Sequence, residues 1–161
     1  MKPAFLAAAL ALLATPALAQ NAGQIASARA GASCAGCNLF QADLAGAELK
    51  GRSFAKARLR QADMSLAVFT GANFSGADLR DANAFAGVFS SANFSGADLT
   101  NSSWVGAHLN GANFRGAKLS GANLSGAELA RASGLTQAQL NGACGDAATT
   151  LPAGMSVPPC R

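Results

Sequence analysis

The stretch Phe69-Thr-Gly-Ala-Asn-Phe74-Ser-Gly-Ala-Asp-Leu79 carries a small-polar-apolar phrase that returns every five residues from Cys37 to Arg131. Counting in fives from Leu39 to Leu129 gives nineteen central positions, and all except Ala84 are Leu, Phe, Met or Trp. Two residues before each centre stands Ala, with Cys37, Arg52, Gly87 and Ser102 as the departures. On an α-helix five residues advance about 500°, which scatters the centres around the axis. On a flat strand an odd period sends alternate centres to opposite faces. The frequent Gly two residues after a centre, as at Gly71, Gly76 and Gly96, also opposes a long helix. What remains is a chain that turns after every five residues with each centre pointing inward, a solenoid.

A second period sets the shape. Every twentieth residue from Leu39 is again leucine (Leu59, Leu79, Leu99, Leu119), and Phe54, Phe74, Phe94 and Phe114 form a second uniform series. Identity at twenty on top of a repeat of five means four sides per turn, with like residues stacked in columns. Nineteen repeats make just under five coils. At a strand-like spacing of about 4.8 Å the rod is roughly 23 Å long. Ala84 falls next to Trp104 in its column, so the smallest centre neighbours the largest and their volumes compensate.

These residues resemble the pentapeptide-repeat family, whose phrase is A-(D/N)-L-x-x, over 95 of the 161 residues. The resemblance implies an all-β solenoid, a right-handed quadrilateral β-helix; the handedness comes from the resemblance alone. Function varies within the family, so the match implies little about activity.

The flanks complete the plan. Residues 1–19 read as a secretory signal peptide: Lys2, a short Ala/Leu-rich run, and an Ala-x-Ala cleavage site at Ala17-Leu18-Ala19. The run is too short for a transmembrane segment. The mature chain is therefore expected in the periplasm or secreted. Its charge falls from +4 to +3 with the loss of Lys2, short of a nucleic-acid-binding composition. Residues 20–33, small and polar without periodicity, read as a flexible leader, and residues 34–132 as the repeat domain. In residues 133–161, Leu135-Thr-Gln-Ala-Gln-Leu140 carries a capping box, Thr136 with Gln139, inside a Leu135/Leu140 hydrophobic staple. A short C-terminal capping helix is expected there, followed by an irregular Pro-containing tail from Asp146 to Arg161. One solenoid and no second core make a single domain.

The four cysteines form two pairs at opposite ends of the rod, Cys34 with Cys37 and Cys144 with Cys160, and read as disulfides in an exported protein. The second closes a loop of about 15 residues, worth roughly 3 kcal/mol on the chain-entropy model. The alternative is a thiol–disulfide redox site at Cys34 and Cys37, which needs a stabilised thiolate; insulin reduction and a free-thiol count discriminate. Asn38 follows Cys37 where haem attachment needs His, and no metal or other cofactor is expected. His108, the single histidine, reads as a surface residue, and no catalytic set can be completed around it. Asn and Asp before the centres (Asn73, Asn93, Asn113; Asp43, Asp63, Asn83) are expected to form side-chain ladders. Arg58 with Asp78, and Lys118 with Asp98, are expected surface ion pairs.

Two surface departures stand out. Lys50, Arg52, Lys56, Arg58 and Arg60 are expected around the edge between the fourth side of the first coil and the first side of the second, with Arg80 extending the patch. Arg52 occupies an Ala slot, so local distortion is expected. The patch reads as a solvated face, or as a weak contact for an acidic surface. Leu66, Val68, Phe85, Val88 and Val105 occupy outward positions near the edge between sides two and three, the mark of a protein partner or of self-association, unless Phe85 slips inward beside Ala84. The leading reading is a non-enzymatic interaction scaffold whose filled interior leaves no pocket. A topoisomerase-shielding DNA mimic, known among family members, fits poorly with an export signal and a positive charge.

Overall fold

The computed structural model describes residues 20–161, so the expected signal peptide at residues 1–19 lies outside the described residues. Parallel bridges join residues twenty apart in four columns. Side one carries Asn38, Arg58, Asp78, Asp98 and Lys118; side two Asp43, Asp63, Asn83, Ser103 and Asn123; side three Glu48, Val68, Val88, His108 and Glu128; side four Ser53, Asn73, Asn93, Asn113 and Ser133. Each side is only one bridged residue wide rather than an extended strand. That residue is held twice over: Asp78 donates to Ala57 O at 2.9 Å, and its own carbonyl accepts from Leu59 N–H at 2.8 Å.

At each corner the chain bends onto the next side through a four-residue turn, as where Ala77 N–H donates to Phe74 O at 3.0 Å. The third turn residue is left-handed (Gly76, φ 64°), as a type II turn requires. Eight corners place a side chain there, among them Lys56, Gln61, Leu66, Asp81 and Ala86, at about 1 kcal/mol or more each. The Asn or Asp that precedes about half of the centres explains the second letter of the repeat. Its Oδ1 accepts the N–H two residues on, which has no partner in the next coil: Asn73 from Ser75 at 3.0 Å, Asn123 from Ser125 at 2.9 Å. The ladder contacts are longer, 3.4 Å from Asn93 to Asn73 and from Asn113 to Asn93, so the turn bond is the main role of this side chain.

The centres fill the interior. Phe54, Phe74, Phe94 and Phe114 stack with centroids 5.2–5.4 Å apart, and Phe69 stacks on Phe89 at 5.2 Å. Trp104 meets Phe89 and Phe94 edge-on at 4.9 and 5.2 Å. Two departures from the Ala slot serve this packing. Ser102 accepts the indole N–H of Trp104 at 2.7 Å, and both residues are buried. A Cβ on Gly87 would stand 2.6 Å from the Phe89 ring. Arg52, by contrast, points to solvent; its turn bond to Leu49 O lengthens to 3.3 Å, while Asn73 N–H still reaches Arg52 O at 2.9 Å. The expected distortion is confined to that one turn.

Both ends of the rod are closed. Residues 20–33 are not a flexible leader: α1 (Ala22–Arg29) forms, capped by Asn21 Oδ1 on Gln24 N–H at 3.0 Å. It turns Ala28 and Ile25 toward the core. Polar side chains of this segment do the work that an earlier coil would do. Gln24 Oε1 accepts Asn38 N–H at 2.7 Å, Arg29 donates to Asp43 O at 2.7 Å, and Ser33 Oγ accepts Ser53 N–H at 3.0 Å. A helix without an apolar stripe thus forms because the edge of the first coil needs partners.

At the other end α2 (Gln137–Asn141) carries the expected capping box of Thr136 and Gln139. Gln139 Nε2 also donates to Phe114 O and Ala117 O at 3.0 and 2.7 Å. The chain leaves the last coil at Gly134, where a Cβ would lie 2.6 Å from Arg115 N. The tail is more ordered than expected. Cys144 bridges Asn123 on side two, Thr150 bridges Glu128 on side three, and Gly145 pairs with Pro159. These rungs occupy the exposed edge of the fifth coil, which explains why a segment without the repeat still follows its columns. Disulfides join Cys34 to Cys37 and Cys144 to Cys160, with Cα atoms 5.3 and 4.8 Å apart.

Candidate functional site

The five-residue period determines where the surface side chains fall, because successive outward positions lie on successive sides. The basic residues therefore surround the corner between sides four and one, but they are spread over two sides of the rod. Lys50 is at the corner between sides three and four, Arg52 on side four, Lys56 at the corner between four and one, and Arg58 on side one. Only Arg58, Arg60 and Arg80 converge. They line a depression of about 220 Å3 at the corner between sides one and two, together with Phe40, Gln61 and Asp78. The expectation that this protein has no pocket is corrected here: the interior is full, but this outer corner is hollowed.

The arginines there are not equivalent. Asp78 holds Arg80 in a fork, with Nε to Oδ1 at 2.7 Å and a terminal nitrogen to Oδ2 at 2.6 Å. The Arg80 hydrogen bonds keep the Asp78 carboxyl below the ordinary aspartate range, and Asp78 in turn raises Arg80. Arg60 Nε reaches Asp81 Oδ2 at 3.2 Å. The expected Arg58–Asp78 pair does not form, because Arg80, two residues along the same chain, presents its guanidinium directly to that carboxylate. The expected Lys118–Asp98 pair does form, at 3.5 Å. Phe40 and Gln61 were missed in the sequence. The available signal was that Phe40 stands in the same corner column as Arg60 and Arg80, at a slot elsewhere filled by Thr100 and Ser120.

The apolar positions do come together at the corner between sides two and three. Leu66 is 63% and Phe85 49% exposed, and Val68, Val88 and Val105 are half-buried. Phe85 has not slipped inward: Ala84 N–H keeps its rung to Ser103 O at 2.8 Å. Leu66 and Phe85 are on adjacent coils, linked by Leu66 N–H to Phe85 O at 2.9 Å. Along side three the apolar column ends at His108, whose Nδ1 lies 3.0 Å from Glu128 Oε2.

At the head of the rod, Cys34 is only 4% exposed, with its sulfur 3.9 Å from Gln24 O of α1. Its partner Cys37 is half-buried, and the bridge between them lies where α1 meets the first coil. Among the described residues no group of His, Cys, Asp and Glu is arranged to hold a metal ion, and no helix is long and apolar enough to cross a membrane.

The family model for pentapeptide repeats matches eight copies over residues 32–63, 53–83, 92–131 and 107–144, which together cover more than half of the chain. The chain belongs to the pentapeptide-repeat family. Among solved pentapeptide-repeat structures it is similar to a protein from Nostoc Pcc 7120, with a TM-score of 0.56 and 24% identity over 85% of this chain and 88% of that one. That likeness concerns the fold alone. A trypsin-treated form of QnrB1, a plasmid-mediated fluoroquinolone resistance protein, aligns with a TM-score of 0.49 and 23% identity, and the match spans 66% of each chain. A pentapeptide-repeat protein from the thylakoid lumen of Arabidopsis thaliana aligns with a TM-score of 0.38 and 26% identity over 62% of this chain and 80% of that one. No curated protein matches this pentapeptide-repeat chain by sequence.

Proposed function

We propose that this pentapeptide-repeat protein is a non-enzymatic, exported scaffold, a rigid right-handed four-sided rod that presents its side two/three corner to a protein partner. The observation that carries the reading is the pairing of a filled interior with the exposed side chains of Leu66 and Phe85. The repeat requires neither of them: the corresponding corners lower in the column hold Val105 and Gly106, then Ser125 and Gly126. A contiguous exposed apolar patch on a protein surface usually marks a site of contact. Export is supported by the Ala-x-Ala signature ending at Ala19 and by two disulfides, which persist in oxidising compartments.

Leu66 offers a clean test because its φ of 58° suits glycine. Leu66→Gly removes the apolar group while relaxing the backbone, so its stability holds, and Phe85→Ser removes a ring that is half in water. In pull-downs from periplasmic extract, the partner bands retained by wild type are expected to disappear with both variants and to survive Arg115→Gln. Light scattering at high concentration distinguishes the partner's nature, because a doubled mass identifies a second copy. Identical bands and masses for wild type and both variants would overturn the proposal.

A further inference from the structure

We propose that the hollow corner between sides one and two is a binding subsite for one acidic sugar unit, a hexuronate. The volume, about 220 Å3, is below the 300–1,000 Å3 typical of sites for drug-sized ligands, and suits a single ring with its carboxylate. Before any ligand arrives Arg80 is held by two bonds to Asp78, and Arg60 makes one contact with Asp81. Those bonds use only part of each fork and leave terminal N–H donors. The Arg58 side chain has no ion pair or hydrogen bond among the described residues. Three arginines against two carboxylates leave a net charge of +1 at the corner. That balance favours a monoanion over a phosphomonoester, which carries close to two charges near neutral pH. Planar N–H forks match a carboxylate.

The remaining lining completes the match. Phe40 is half-buried and supplies an apolar wall for the C–H face of a sugar ring. Gln61 Oε1 accepts from Gln41 at 3.0 Å, which leaves the Gln61 amide hydrogens for hydroxyl oxygens. A planar monoanion, an apolar ring face and hydroxyls occur together in a uronate. Lower in the same corner the repeat uses Thr100, Asn101, Ser120 and Gly121, so the coil itself requires neither the ring nor the arginines. This site is separate from the apolar corner and does not depend on the proposed protein contact.

The test is an amide-resolved NMR titration of the intact protein with D-glucuronate, D-glucose, acetate and inorganic phosphate at matched ionic strength. Saturable shifts are expected at Phe40, Arg58, Arg60, Gln61 and Arg80, with a Kd of about 1 mM for glucuronate. Glucose is expected to produce none, and acetate to bind at least about tenfold more weakly. Arg58→Gln is expected to weaken glucuronate about tenfold, Phe40→Ala to weaken glucuronate but not acetate, and Arg115→Gln to change neither. Thermal unfolding confirms that the variants fold, and the wild-type ligand comparison decides on its own if one does not. A triuronate that binds more tightly identifies a polysaccharide as the source, and equal affinity identifies a free sugar. Glucuronate binding no tighter than acetate, phosphate binding tighter than both, or equal shifts around Arg115 and Lys118 would overturn the assignment.

Discussion

Replacing Ser102 with alanine restores the residue that the repeat prefers at that slot, and it should nevertheless destabilise the protein. Trp104 is fully buried and Ser102 is 1% exposed, so no water reaches the indole nitrogen if the serine hydroxyl is removed. The hydroxyl accepts from Trp104 Nε1 at 2.7 Å. It also donates to Leu99 O, but that carbonyl keeps a second partner in Ser102 N–H at 3.2 Å. The loss is therefore concentrated on one orphaned donor, which costs about 1–3 kcal/mol when buried. Sterics add little, since alanine fits the same slot two residues before Phe94 and Phe114. For a chain of this size the change lowers Tm by about 3–10 °C.

The decisive assay is a double-mutant cycle read by urea unfolding. Trp104→Phe removes the donor and installs a centre used elsewhere in the coil, at the expense of a small cavity beside Ala84. In that background Ser102→Ala should be neutral or stabilising, because the serine no longer has an indole to serve. The coupling between the two sites is then about 1–3 kcal/mol. If Ser102→Ala is as stable as wild type, or costs the same in the Trp104→Phe background, the hydrogen bond is not what keeps serine in that slot.

Removal of residues 20–33 exposes the edge of the first coil, including Asn38 N–H and Asp43 O, and end-to-end association that grows with concentration is expected by light scattering; a truncated monomer of unchanged Tm would refute the capping role. Loss of the Cys144–Cys160 bridge through paired alanine substitutions should cost roughly 3 kcal/mol, against roughly 2 kcal/mol for the shorter Cys34–Cys37 loop; urea midpoints check the order, and a reversed order would refute the entropy argument. Asp146 closes the open corner of the fifth coil by accepting Gly126 N–H at 2.8 Å, and that bond, aided by Thr149 and Ala148, holds its carboxyl below the ordinary range. Because the folded value is depressed, its contribution is present above about pH 4 and is lost as the pH falls through the folded value. The stability gap between wild type and Asp146→Asn should therefore shrink from pH 7 to pH 3, and a gap constant across that range would exclude the charge.

Repetition explains what the sequence disclosed and where it fell silent. A pattern repeated nineteen times reports the positions that every coil needs, so the columns through Leu79, Phe74 and Trp104 could be placed by counting. The departures were visible as departures, but their reasons were relational. Ser102 could be flagged from its slot, yet its purpose depends on an indole two residues on, folded back beside it in the same turn. Arg80 could be placed beside Arg60 by counting in twenties, but whether Asp78 would pair with Arg58 across the rung or with Arg80 along the chain depended on side-chain reach. The ends were the least legible for the same reason. A terminal coil needs acceptors and donors for its outer edge, and any flexible polar chain can supply them. Gln24, Arg29 and Ser33 at one end, and Gln139, Cys144, Asp146 and Thr150 at the other, share no motif. They share only the demand of the edge they cover, which a periodic reading registers as the place where its period stops.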